Sequence, residues 1–443
     1  MDRRHLLSAL AGIGASTAGC LAPGATVGPV PAPANVPETD VPENVNAPTD
    51  GYVAGNADFG FALLERLADD APSENRFVSP YSLGVALAMT YAGARGQTRT
   101  NVAETLRFRP TGEDLHRSVA ALRSALPLDE AGESDARTTA RSGNRRGGVP
   151  LRFAGANALW GQVDYPFGED FLKTLKRYYG AGLGRVNFER EPDAARRAIN
   201  GWVAERTRGK VPELFGEDTI DRRTRLVLAN AVYFRANWAD AFDEANTERK
   251  PFTTLDGATD AVATMHQKAE FPFAEVEGVK VLELPYAGEN ADMALLLPPR
   301  DRFREFERGF DAERLSKLLG ATEATEVKVR LPRFEFRSSL ELSRRLEAMG
   351  MTTAFTPSAD FGGMAEGSAG ESLQLGSVAH EAYVKVDERG TEAAAATGVE
   401  VTAVSYTPAR ATFAADRPFL FVIRHRPTGA PLFLGRVADP AAD

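Results

Sequence analysis

The stretch "ERGTEAAAATGVEVTAVS", Glu388 to Ser405, sets a run of alanines between two strand-like segments. Alanine is the best helix former, and Thr391 is a competent N-cap for Ala393–Ala396. Yet "AYVKV" precedes the run as a strand would, and "GVEVTAV" alternates after it. Taken in alternate positions, Thr391, Ala393, Ala395, Thr397, Val399 and Val401 form one set, small or β-branched and uncharged. Glu392, Ala394, Ala396, Gly398, Glu400 and Thr402 form the other, which holds both glutamates. That is the period of a strand with one dry face and one wet face. Small inward side chains allow such a strand to slip between two existing ones, and Gly390 supplies a permissive hinge. Two completed ladders would add on the order of ten backbone hydrogen bonds, each worth about 1 kcal/mol net. A plain alanine-rich surface loop fits the same residues, and alternation alone does not decide between the two.

Outward from this stretch, helices come mainly early and strands mainly late. "FVSPYSLGVALAMTYAGARG" predicts a buried helix over 82–92, opened by a Ser-Pro turn. "DLHRSVAALRSAL" predicts a helix with Leu115, Val119 and Leu122 inward, and "EPDAARRAINGWVAERTRG" one with Ile199, Trp202 and Val203 on one face. "RLVLANAVYFRANW" is too apolar to face water on either side of a strand. Short strands follow ("VKVLELPY", "DMALLLP", "EVKVRLPRFEFR"), then a helix in "SLELSRRLEAMG", then "AHEAYVKVDE" and two closing strands, "PFLFVIRH" and "PLFLGRV". This order predicts an α+β fold with antiparallel sheets, not an alternating parallel one. Residues 127–150 are polar and Gly-rich without apolar period, and read as a disordered insertion.

The 443 residues carry a net charge of −9, which disfavours a nucleic-acid partner. One cysteine, Cys20, excludes an intrachain disulfide and a cysteine-based metal site. No cofactor motif is present: "GAGLGR" fails G-x-G-x-x-G at Arg185 and reads instead as the end of a helix containing Tyr178 and Tyr179. "EGSAG" has Glu366 where a nucleophile elbow has glycine, and neither S-x-x-K nor H-E-x-x-H occurs. A Ser-His-Asp triad is defined in space, so a hydrolase stands as a distant alternative.

The N-terminus reads as an export signal over 1–20, with Arg3-Arg4, a small-to-apolar segment and "AGC" ending at Cys20. The arginine pair resembles a twin-arginine signal. "AGC" resembles the end of a lipobox, with Thr17 where leucine is usual, which implies lipidation of Cys20 and attachment to the outer face of the cell membrane through that anchor alone; an ordinary export signal with a chance cysteine would leave the protein secreted. Residues 21–50 hold seven prolines and read as a stiff tether, able to reach about 90 Å at ~3.1 Å per residue.

The residues that carry a family resemblance lie throughout 52–440. "DERGTEAAAAT" resembles the proximal hinge of an inhibitory serpin. "NRFVSPYSL", "LVLANAVYFRANW", "FDEANTERKPF", "VLELPY", "AFTPSADFGGM", "AHEAYVKVDE", "ADRPFLFVIRH" and "PLFLGRV" resemble serpin segments in family order. The resemblance implies one serpin domain over 51–441, with three mainly antiparallel sheets, eight to nine helices and an exposed reactive-centre loop within 388–412. It implies a monomeric, suicide-type inhibitor whose partner is a serine protease, held as a covalent acyl complex, with no cofactor. Glu388, Gly390, Thr391, Glu392, Ala393, Ala394, Ala395, Ala396 and Thr397 match the hinge. Ser79, Ser82, Asn230 and His380 match the polar shutter under the opening strands, and Trp238 the breach where insertion starts. Seventeen positions counted from Glu388 place the reactive bond at Val404-Ser405; a loop one residue shorter gives Ala403-Val404, and Tyr406 is a third choice. A small uncharged residue there implies elastase- or subtilisin-like targets. A non-inhibitory serpin is the main rival, though such members often carry bulky, charged or proline residues where this hinge has Thr391 and alanines.

Overall fold

β4 (Leu226–Asn237) explains the apolarity of "LVLANAVYFRAN": both of its faces are covered. Leu228, Val232, Phe234 and Ala236 face a large core between two sheets, while Val227, Ala229 and Ala231 face a smaller core outside. In this computed structural model the described residues are 49–126, 152–180, 182–288, 290–367, 373–391 and 409–442. The proposed signal, most of the tether, the 127–150 insertion and the stretch from Glu392 through Thr407 lie outside them.

Nine α-helices occur among the described residues: α1 (Asp50–Asp70), α2 (Pro80–Gly93), α3 (Gly96–Thr105), α4 (Glu113–Ala125), α5 (Glu169–Tyr179), α6 (Pro192–Arg206), α7 (Phe303–Glu307), α8 (Ala312–Leu319) and α9 (Ser343–Ala348). A six-stranded sheet runs in the order β10 (Phe334–Glu341), β11 (Val378–Asp387), β12 (Gly390–Thr391), β4, β2 (Arg152–Gln162), β3 (Leu183–Val186). A nine-stranded sheet comprises β1 (Arg76–Val78), β15 (Pro431–Val437), β14 (Phe419–His425), β8 (Ala291–Leu297), β7 (Val279–Pro285), β6 (Thr259–Val276), β9 (Glu323–Pro332) and β13 (Ala411–Ala414) in that order, with β5 (Glu248–Thr253) also on β6. β6 is 18 residues long and pairs with β5, β7 and β9 along different parts of its length, so the two smaller sheets of the expected three run into one another through it.

α2 lies between the sheets and is buried on nearly every side, as its all-round apolarity requires. Its start is fixed by Ser79, whose Oγ accepts from Ser82 N at 3.1 Å, with Pro80 at the first helical position. α6 covers the other face of the six-stranded sheet, setting Ile199, Trp202 and Val203 over Ala229, Ala231 and Ala379. α5 ends at Tyr179 with Gly180 in the left-handed region, as the "GAGLGR" reading expected.

One helix is shorter than the sequence suggested. "SLELSRRLEAMG" contributes helix only from Ser343, because Ser339–Glu341 continue β10 against β11. Phe334, Phe336, Ser338 and Leu340 alternate inward, and the serine in that series accepts Phe77 N–H at 2.9 Å.

Candidate functional site

The six-stranded sheet is forked. Over Leu228–Tyr233 and Val378–Tyr383, β4 and β11 pair directly as parallel neighbours. Above that level β12 lies between them and is antiparallel to both, with Thr391 opposite Val386 and Ala236, and Gly390 opposite Asp387 and Asn237. The first two residues of the alanine-rich hinge are thus already a strand between β4 and β11. Gly390 has φ +153, and a Cβ there would stand 2.1 Å from the Ala236 carbonyl oxygen, so only glycine allows this approach. Thr391 is buried, and its hydroxyl is 2.7 Å from Tyr286 Oη. This is the inward orientation that alternation assigned to Thr391.

The fork has an aromatic cover. Trp238 stacks on Tyr286 at 4.7 Å between ring centres, and its Nε1–H donates to the Asp387 carbonyl at 2.9 Å. Trp238 N donates to Arg389 O at 2.9 Å and Phe242 N to Glu388 O at 2.8 Å, so both sides of the Asp387–Gly390 bend are tied down. The Glu388 carboxylate is buried, with Arg333 Nε donating to it at 2.6 Å and the Thr247 hydroxyl also donating. Burial opposes ionisation of Glu388, but these two donors outweigh it and hold its pKa below the ordinary carboxylate range.

The residues matched to the shutter assemble six residues deeper along β4 and β11. His380, Asn230, Ser79 and Ser82 are fully buried. Ser79 N–H donates to His380 Nε2 at 3.3 Å, so the ring proton sits on Nδ1 and donates to Asn230 Oδ1. Asn230 Nδ2 donates to Ser82 Oγ at 2.9 Å, Ser82 Oγ donates to Asn157 Oδ1 at 2.9 Å, and Ser79 Oγ donates to Leu432 O at 2.7 Å. The chain crosses from β11 to β4, to α2, to β2, and bonds the very strands that a new strand would separate. Burial pushes the His380 pKa down from 6.5 to about 3. The unfolded chain therefore binds a proton below pH 6.5 that the folded chain refuses. Stability from this site is complete above 6.5 and falls toward pH 3, by up to about 1.4 kcal/mol per pH unit. A His380→Gln variant is expected to flatten the acid limb of a melting-temperature profile; an unchanged limb would contradict this assignment.

Of the five residues read from the sequence, Ser79, Ser82, Asn230 and His380 form one hydrogen-bonded cluster, and Trp238 lies apart from them against Tyr286 and the Asp387 carbonyl. Asn157, Tyr286, Thr247 and Arg333 were missed. Each is remote in sequence from its partner, and no local pattern marks it. Glu392–Thr397, Ala403, Val404, Ser405 and Tyr406 lie outside the described residues, as does Cys20. Among the described residues, no group of three or more His, Cys, Asp or Glu side chains is placed to hold a metal.

Comparison with known proteins bears on this geometry. Residues 54–440 match the family described as Serpin (serine protease inhibitor). The chain is a serpin. It is 36% identical over 396 residues to the leukocyte elastase inhibitor of Bos taurus, covering 87% of this chain and 99% of that one. A serpin-like protein of Thermococcus kodakarensis is 36% identical over 384 residues, covering 86% and 84%. Uncleaved ovalbumin superposes with a TM-score of 0.75 at 30% identity, covering 88% of this serpin and 99% of that chain. The family is described as one of serine protease inhibitors, and the relatives are named as inhibitors, not as enzymes, which sets the hydrolase alternative aside.

Proposed function

We propose that this serpin inhibits serine proteases irreversibly, by cleavage of its loop, acyl-enzyme trapping and insertion of the cut loop between β4 and β11. The observation that carries the reading is β12: Gly390 and Thr391 already occupy the upper end of that gap. Serpin loop insertion is a standard example of strand addition and released strain. Continued in the register of β12, Ala393 falls opposite Val384 and Phe234, Ala395 opposite Ala382 and Val232, and Thr397 opposite His380 and Asn230. The partners at the first two levels are core-facing, so the small uncharged set is the one that would be buried. Thr397 would arrive where His380 and Asn230 now bond each other, and its hydroxyl suits that place.

The reactive bond is Val404-Ser405 and the targets are elastase- or subtilisin-like, a reading supported by the uncharged residues there and by similarity to elastase inhibitors. The serpin acts as a monomer, exported and held at the outer face of the cell membrane by lipid on Cys20. Cys20→Ser is expected to move it from the membrane to the soluble fraction, and retention on membranes would refute the anchor. For the inhibitory reading, incubation with elastase, subtilisin, chymotrypsin and trypsin is followed by denaturing electrophoresis and mass spectrometry. A denaturant-stable complex and a released fragment beginning at Ser405 are expected. Clean cleavage without complex would sink the reading, and a different fragment start would move the bond.

A further inference from the structure

The fork closes at one residue pair. Tyr233 and Tyr383 are the last directly opposed residues of β4 and β11 before β12 separates the strands. Their side chains form a small buried cluster of their own, at 5% and 9% exposure, apart from the main cores. Tyr383 is held from other directions as well. Its hydroxyl donates to Glu335 Oε1 at 2.6 Å on β10, and Lys385 Nζ donates to the other oxygen of that carboxylate at 2.8 Å. Lys210, in the connection from α6 to β4, places Nζ 5.2 Å from the centre of the Tyr383 ring, and Arg337 on β10 places its guanidinium carbon 5.9 Å away. Three neighbours of β11 therefore converge on one side chain at the point where the sheet must next part.

We propose that Tyr233 and Tyr383, with Lys210 and Glu335, form a clasp that sets the rate at which β4 and β11 separate. Neighbouring strands lie about 4.8 Å apart, and admitting a strand doubles that spacing. The two rings then lose each other. Lys210 follows α6, which packs on β2 and β4, and Glu335 is on β10, which pairs with β11, so parting pulls Tyr383 between a cation it leaves and a carboxylate it keeps. The inserted residue at this level would be Ala394, whose methyl group cannot replace a tyrosine contact. The tyrosines are positioning residues: they touch no protease and act only through the sheet. Aromatic contact and a cation over the ring are each worth enough to alter an opening equilibrium several-fold.

The inference rests on the insertion reading for its consequence but not for its test. In the uncleaved protein, Tyr233→Ala and Tyr383→Ala are each expected to speed amide hydrogen exchange of Val378–Tyr383 about tenfold relative to β14 and β15. Tyr383→Phe, which keeps the ring and loses the bond to Glu335, falls between, as does Lys210→Ala. Exchange that is unchanged at Val378–Tyr383, or faster everywhere alike, overturns the clasp. In a second arm the loop is cut and insertion is followed by Trp238 fluorescence, with the alanine variants expected to insert about tenfold faster. A wild type that never inserts defeats the inhibitory reading, while the exchange arm still judges the clasp. A wild type that inserts at the same rate as the variants overturns the clasp alone.

Discussion

Thr391→Arg is expected to convert this serpin from inhibitor to substrate, with the target protease cutting the loop and walking away active. Thr391 is 1% exposed, and its hydroxyl lies against that of Tyr286, the ring on which Trp238 stacks. An arginine there puts an unpaired cation on the dry face of the sheet, which costs several kcal/mol. In the uncleaved variant the two-residue β12 can withdraw and leave the cation in water, so the cost falls on the insertion step. Even about 4 kcal/mol slows that step by roughly a thousandfold, enough for deacylation to overtake insertion. Thr391→Val keeps the shape and removes only the hydroxyl bond, so it should remain an inhibitor. The measurement is the number of serpin molecules consumed per protease inactivated. Full inhibition by the arginine variant would show that position 391 need not stay on the dry face of the sheet for the loop to insert.

Glu388→Lys should have the largest effect on the uncleaved protein. Glu388 is buried, accepts from Arg333 and Thr247, and its backbone carbonyl accepts from Phe242. Lysine removes the acceptor and sets a second cation beside Arg333. Breaking a buried pair costs about 3–5 kcal/mol, and the half-exposed position of Arg333 reduces this to about 2–3 kcal/mol. A drop of roughly 3 °C in melting temperature follows for a domain of this size. The charge-swapped double variant, Arg333→Glu with Glu388→Lys, should recover part of the loss. A single variant as stable as wild type, or a swap that recovers nothing, would show that the pair does not hold the Asp387–Gly390 bend.

How much of this was legible without coordinates depends on the range of the interaction. The inward face of the hinge was readable because a strand's period of two is written locally, and Thr391 is oriented as that period requires. β4 was readable because covering both faces of a strand leaves almost no polar position. The helix in "SLELSRRLEAMG" was placed too early because Ser338 interrupts the apolar alternation of β10; its inward serine makes sense only once Phe77, 261 residues away, is beside it. The same holds for Arg333 and Glu388, separated by 55 residues, and for Asn157 and Asn230, separated by 73. Ser79, Ser82, Asn230 and His380 came from family resemblance alone, since a lone polar residue in an apolar run carries no address for its partner. That Gly390 and Thr391 already lie between β4 and β11 had no sequence signal, because the alternation that allows insertion is the same before and after it occurs.

In the proposed mechanism the gap between β4 and β11 is the destination of the loop. The most direct test is thermal unfolding of this serpin before and after a single cut within residues 392–408. Filling the gap adds on the order of ten hydrogen bonds at about 1 kcal/mol each, and for a domain of this size the melting temperature should rise by at least about 10 °C. A cut protein that melts at or below the temperature of the intact one would contradict insertion, and with it the inhibitory mechanism.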